Sequence, residues 1–236
     1  MKKTLAIIGL LIISISLFYG CKAPQPPTQT QETLWNELIA KSETLYHQGR
    51  YSEAAKVAEE ALTVAEKTFG SNHPNFATSL NNLALFYHSQ GKYAEVEPLF
   101  KRALAIRERA LGKDHPHVAT DLNNLALLYR AQGKYAQAEP LHKRALKIVE
   151  KALGPEHPYV AASLNNLVLV YQAQGKYAQA EPLFKQSLKI MEKALGPEHL
   201  HVATVLENMA KCSREMGKKD ESEKLEARAK KIRANR

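Results

Sequence analysis

Apolar residues in the middle of the chain recur at helical spacing, not strand spacing. Leu80, Leu83, Ala84 and Tyr87 form one stripe of a 3.6-residue period. After Gly91, the residues Val96, Leu99, Phe100, Ala103, Leu104 and Ile106 form a second stripe. The pattern therefore predicts two helices joined by a glycine turn. Glycines at 49, 91, 133, 175 and 217 are spaced by 42 residues, and a second series at 70, 112, 154 and 196 has the same step. The text between them repeats as well: SLNNLALFYHSQGKY from Ser79, DLNNLALLYRAQGKY from Asp121 and SLNNLVLVYQAQGKY from Ser163. A period of this length marks stacked supersecondary units, none of which can bury its apolar face alone.

Local chemistry sets the boundaries of each unit. His73-Pro74, His115-Pro116 and His157-Pro158 stand just before the first helix of a unit, where proline's missing N–H costs nothing. Gly112, Gly154 and Gly196 fall where the second helix must stop, as residues that accept a left-handed conformation. Pro98, Pro140 and Pro182 lie some six residues into the second helix and predict a kink or an irregular first turn there. The connections are short, so neighbouring helices must pack antiparallel.

These residues resemble the tetratricopeptide repeat, and the 42-residue form with NNLA, QGKY, AEPL, KRAL and G-x-x-H-P resembles the kinesin light chain type. Ala84 takes the family's small position in the first helix, with Leu83 and Tyr87 in its Leu and Tyr positions. Val96, Phe100 and Ala103 take the Ala, Phe and Ala positions of the second. The resemblance implies an all-α solenoid of five antiparallel helix-turn-helix units, at about 32–73, 74–115, 116–157, 158–199 and 200–236, within a repeat domain spanning 32–236. Lys41 and Ser42 in the first unit, and Ser213, Ser222 and Glu226 in the last, replace apolar family residues and read as polar caps on an open stack.

The chain's formal charge is +9. The segments 1–31 and 218–236 carry +3 and +4 of it, leaving +2 on the 186 residues between. A groove for nucleic acid would place its bases along the body, so no nucleic-acid partner is expected. Met1-Lys2-Lys3 followed by the apolar run Leu5–Gly20 reads as a signal peptide over 1–20; at ~1.5 Å per residue it is too short for a permanent span. Phe18-Tyr19-Gly20-Cys21 resembles a bacterial lipobox, although Phe18 and Tyr19 stand where an aliphatic and a small residue are usual. That resemblance implies lipidation at Cys21, a Pro/Gln/Thr tether over 21–31, and a membrane-anchored lipoprotein. Lys22 in place of an inner-membrane Asp implies outer-membrane anchoring facing the periplasm or the cell surface.

Candidate chemistry is sparse. His73, His115, His117, His157, His199 and His201 recur at unit spacing, ~20 Å from one unit to the next and too far to share a metal ion, and His115/His117 and His199/His201 could make only weak i,i+2 pairs, so a loop-and-cap role is expected. No nucleophile elbow, P-loop or zinc-protease motif is present, and Cys212 falls in the register of Phe86, Leu128 and Val170, a core position. Neither catalytic activity, a cofactor nor a small-molecule substrate is expected; a hydrolase or enzyme accessory built on the histidines is the reading from another class.

In the tetratricopeptide family the inner face of the first helix lines a concave groove. Carried over by position, that face comprises Thr78, Asn81, Asn82, Leu85 and His88; Thr120, Asn123, Asn124, Leu127 and Arg130; and Ala162, Asn165, Asn166, Leu169 and Gln172. Asparagine offers a donor and an acceptor to a peptide backbone and leucine offers apolar contact, so the expected partner is a protein or peptide segment. One asparagine of each pair is expected to bond the adjacent turn instead, with Asn82, Asn124, Asn166 and Asn208 the first choice. Only Arg130 and Lys211 supply positive charge, which argues against a carboxylate clamp. The expected function is a non-catalytic, lipid-anchored interaction scaffold. An assembly factor for a secretion, pilus or β-barrel machine is the alternative.

Overall fold

The computed structural model describes residues 29–235 and contains no strand among them. Five helix pairs follow one another: α1 (Gln29–His47) with α2 (Tyr51–Phe69), α3 (Pro74–Ser89) with α4 (Tyr93–Leu111), α5 (Pro116–Ala131) with α6 (Tyr135–Leu153), α7 (Pro158–Ala173) with α8 (Tyr177–Leu195), and α9 (Leu200–Glu215) with α10 (Lys219–Ala234). The signal, lipobox and most of the tether lie outside the described residues. Helix α1 begins at Gln29, three residues inside the segment read as tether.

The turns form as the repeated residues dictate. Each His before a helix is in extended conformation and its ring Nδ1 accepts the N–H two residues on, 3.1 Å for His73 to Asn75 and 3.2 Å for His115, His157 and His199 to their partners. The imidazole thus does the work of an Asp or Ser cap. Between the helices of a pair, the N–H of Lys92 bonds Tyr87 carbonyl and that of Gly91 bonds His88 carbonyl, the crossed pattern of a Schellman turn closed by a positive-φ glycine. The second glycine series behaves differently from the expectation. Gly112 has φ 88° and ψ 154°, a mirror-image extended conformation available essentially to glycine alone and not the left-handed helical one. Pro98, Pro140 and Pro182 cause no break: α4, α6 and α8 each run 19 residues through them.

Each helix packs chiefly on the helix before it and the helix after it, with a lesser contact of α1 with α3. The core is accordingly a string of small clusters and not one centre. Trp35, Phe76, Leu80 and Ile106 join the first two units, and Phe100, Leu125, Tyr129 and Val170 join the middle ones. Leu167, Phe184, Val205 and Cys212 join the last two. Cys212 is 1% exposed and burial pushes its thiol pKa up, as a core thiol should behave.

The expected polar caps are only partly polar in effect. Ser42 and Ser222 sit in apolar slots but are buried, each returning its hydroxyl to a helix carbonyl, Ile39 at 2.7 Å and Ala210 at 2.9 Å. Ser213 is buried too. The exposed end is made by charge: Glu226, in the phenylalanine position of the last unit, is ion-paired with Arg214. Away from the A helices (the first helix of each pair), Glu97, Glu139 and Glu181 reach Lys134, Lys176 and Lys218 of the next unit's turn at 3.6, 3.2 and 2.6 Å. Such exposed pairs orient neighbouring units and add little stability.

Candidate functional site

The first helices of successive units, α3, α5, α7 and α9, lie side by side, and the clefts between them are where the inner-face residues gather. Between α3 and α5, Leu85, His88, Asn124, Leu127 and Arg130 line a cleft of about 260 Å³ floored by Phe100 and Leu128. Between α7 and α9, Asn165, Leu169, Thr204 and Asn208 line another, floored by Val168, Phe184 and Val205. Thr120, Asn123, Ala162 and Asn166 meet between α5 and α7. Leu85 and Leu169 are each 38% exposed. Gln172 is half-buried on α7 and lines none of these clefts.

Asn82 bonds the preceding unit as expected, but otherwise the first asparagine of each pair, not the second, makes the structural contacts. Asn81, Asn123 and Asn165 turn into the body. The Asn81 amide donates to Asp121 Oδ1 at 2.5 Å, Asn123 Oδ1 meets His142 Nδ1 at 2.9 Å, and Asn165 Oδ1 accepts from Ser187 Oγ at 3.1 Å. In the second column only Asn82 is engaged, donating to Glu43 at 3.1 Å. Asn124, Asn166 and Asn208 make no side-chain hydrogen bond and face the clefts or solvent. The reason is geometric: one residue along a helix is a 100° rotation, and the first Asn of each pair falls on the side that meets the second helix of its own unit and the first of the next. Thr78 is also committed, accepting from Arg107 at 2.8 Å. Thr120, Leu85, Leu127, Leu169, Asn124, Asn166, Asn208, Arg130 and Lys211 therefore form the part of the inner face free to meet a ligand.

A buried ion pair and a buried histidine were not anticipated. Arg107 on α4 and Asp121 on α5 form an ion pair at 2.5 Å with Asp121 wholly shielded from solvent. Burial pushes the Asp121 carboxyl up to about 6, against the opposing pull of Arg107 and Asn81. His142 on α6 is fully buried, Asn123 meets its Nδ1, and its Nε2 has no partner. Burial first and the charge of Arg130 second lower its pKa to about 4. The signal was present in the text: Asp121 breaks the serine of SLNN, and His142 replaces the phenylalanine found at 100 and 184.

Among the described residues, no three of His, Cys, Asp and Glu come close enough to hold a metal ion. Chemically, the free inner face can exchange hydrogen bonds with a backbone and cover apolar side chains. It presents two unpaired cations, Arg130 and Lys211.

A stack of helix pairs with this register defines a class of α-solenoid, and the family comparison gives it a name. The tetratricopeptide repeat model matches at residues 32–108, 75–151, 122–193 and 159–235, so the chain belongs to the tetratricopeptide repeat family. A crystal structure of kinesin light chain TPR-like repeats from Podosopora anserina is similar, with 27% identity and a TM-score of 0.78 over 88% of this chain and 98% of that one. BtubC (BKLC) from P. vanneervenii has the same fold, with 22% identity and a TM-score of 0.79 over 87% of this chain and 82% of that one. No curated protein sequence matches the chain.

Proposed function

We propose that the protein is an exported, lipid-anchored scaffold that holds an extended segment of another protein along the inner face of α3, α5, α7 and α9 and performs no chemistry itself. The family is one of protein-interaction scaffolds, which supports the general reading. The observation that favours this face is the pairing of exposed leucines with unbonded asparagines at two of its steps: between α3 and α5, Leu85 lies opposite Asn124, and between α7 and α9, Leu169 lies beside Asn208. A backbone lying there would satisfy the amides, and its side chains would cover the leucines. The face is preformed, so little ordering entropy is lost on binding. The anchor would be Cys21, with the basic n-region and apolar run before it removed on export.

The test is affinity capture from native membranes with Asn124→Arg and Leu127→Arg introduced together. Both side chains lie outside the core and the variant should fold normally. Loss of the captured protein with an unchanged melting curve supports the reading; undiminished capture refutes it. Asn123 is unsuitable for this purpose because it is tied to His142. Anchoring is tested separately: Cys21→Ser should move the protein from the membrane to the soluble fraction.

A further inference from the structure

Inside the stack, the second helix of one unit meets the first helix of the next through recurring positions, and three contacts define the junction of α4 with α5. Glu97 reaches Lys134 in the following turn, as Glu139 and Glu181 reach Lys176 and Lys218. Phe100 packs in one cluster with Leu125 and Leu128. Arg107 donates to Asp121 through Nη1 and to Thr78 through Nη2. Helix α1 has no unit before it and α10 none after it, so both turn these positions to solvent. On α10 the positions of Glu97, Phe100 and Arg107 are held by Glu223, Glu226 and Arg233. In the first unit the positions of Lys134, Leu125 and Asp121 are held by Arg50, Lys41 and Glu37.

Laid together in the register of an internal junction, the two ends carry opposite charge at all three positions: Glu223 against Arg50, Glu226 against Lys41 and Arg233 against Glu37. Arg233 is set for such a contact. Its Nη2 donates to Thr204 as that of Arg107 does to Thr78, and Glu207 holds Nε and Nη2. Nη1, the atom through which Arg107 reaches the next unit, has no partner among the described residues, and neither has Glu37 or Lys41. The remaining exposed apolar group also finds a cover. Leu34, 45% exposed, stands where Val118 lies in one cluster with Leu104, and Lys230 stands at the position of Leu104. The alkyl stem of Lys230 can lie over Leu34 with its ammonium in water. A polar cap that merely ends a stack needs charge of any sign; three opposite pairs in register select a particular partner.

We propose that the two ends of the stack bind one another between copies, α10 of one chain docking on α1 of the next, so that chains line up head to tail. The contact joins two different surfaces and leaves a free end on each side, so it builds open rows and not a closed dimer. It leaves the inner face uncovered and does not depend on what that face holds. The paired side chains are exposed, so the contact is weak and salt-sensitive.

The experiment is sedimentation of the exported chain, residues 21–236 with Cys21→Ser to keep it soluble, over a range of concentration. The weight-average mass should climb without levelling at a dimer, and the climb should diminish as salt is added. Arg50→Glu and Glu223→Arg, both at exposed positions, should each weaken association by about tenfold with unchanged melting curves. Carried by one chain the two should restore it, because both signs are then exchanged. In native envelopes, p-benzoylphenylalanine placed at Lys41 of the full chain should give an adduct of two copies linked through α10. A monomer at every concentration, a mass that levels at a dimer, association indifferent to salt, or a double variant no tighter than the single ones would overturn the proposal. Association lost in Asn124→Arg/Leu127→Arg with both ends intact would place the second copy in the inner face and overturn it as well.

Discussion

Replacing His142 with phenylalanine should make the protein selectively more stable in acid. The ring is fully buried, and Phe100 and Phe184 fill the same position in the units on either side, so the larger apolar ring has two precedents for its fit. In the folded protein the His142 pKa is about 4 instead of 6.5. The folded state therefore binds fewer protons than the unfolded chain between these values, and stability is lost as pH falls through the window. A shift of that size corresponds to about 3 kcal/mol over the full window, about 2 kcal/mol of it between pH 7 and pH 4.5. Asp121 acts in the opposite sense. Its pKa is raised from 3.8 to about 6, so its contribution is present at low pH and lost as pH rises through 6. In the native sequence the two nearly offset each other over their common window, and His142→Phe removes one side of that balance. Urea unfolding followed by circular dichroism at pH 7 and pH 4.5 gives the comparison. The stability of the variant relative to the native chain should rise by about 2 kcal/mol on acidification. An unchanged or smaller difference at pH 4.5 would refute the assignment of His142 as a buried neutral ring.

Gly112→Ala should cost on the order of 1–3 kcal/mol in a thermal or urea melt, because its φ of 88° and ψ of 154° lie outside the range open to side-chain-bearing residues. Asp121→Ala alone should cost about 3–5 kcal/mol by stranding the Arg107 charge, whereas Arg107→Val with Asp121→Ser, the residues found at 149 and 163, should cost much less in the same assay. Partner binding should vary weakly with salt, since Arg130 and Lys211 are the unpaired cations of the inner face; a fall of orders of magnitude between low and physiological ionic strength, read by calorimetry, would contradict this.

Most of the fold was legible because it is written five times. Leu38, Leu80, Leu122, Leu164 and Leu206 hold one position that is leucine in every unit and reads as core; the last four are fully buried, and Leu38, in the end unit, is half-buried. Glycines at a fixed step mark the turns for the same reason. The inner face was legible as a set of positions but not in its details. Adjacent asparagines look alike in sequence, and which one turns inward depends on the angle at which α5 lies against α3, a tertiary quantity. The Arg107–Asp121 pair was legible only in part: Asp121 stands out against Ser79 and Ser163, but only the packing of two units brings it to 2.5 Å from Arg107. The helix caps were half-foreseen. The His-Pro pairs marked the helix starts, but the imidazole Nδ1 as the capping acceptor emerged only with the coordinates.

Site-specific photo-crosslinking in native cell envelopes tests the central claim most directly. With p-benzoylphenylalanine at Leu127 on the inner face and, separately, at the exposed Lys147 on α6, a discrete adduct to another protein should form from position 127 and not from 147. Adducts from 147 alone, or from neither position in cells where the protein is abundant, would show that the inner face of the stack is not where a partner is held.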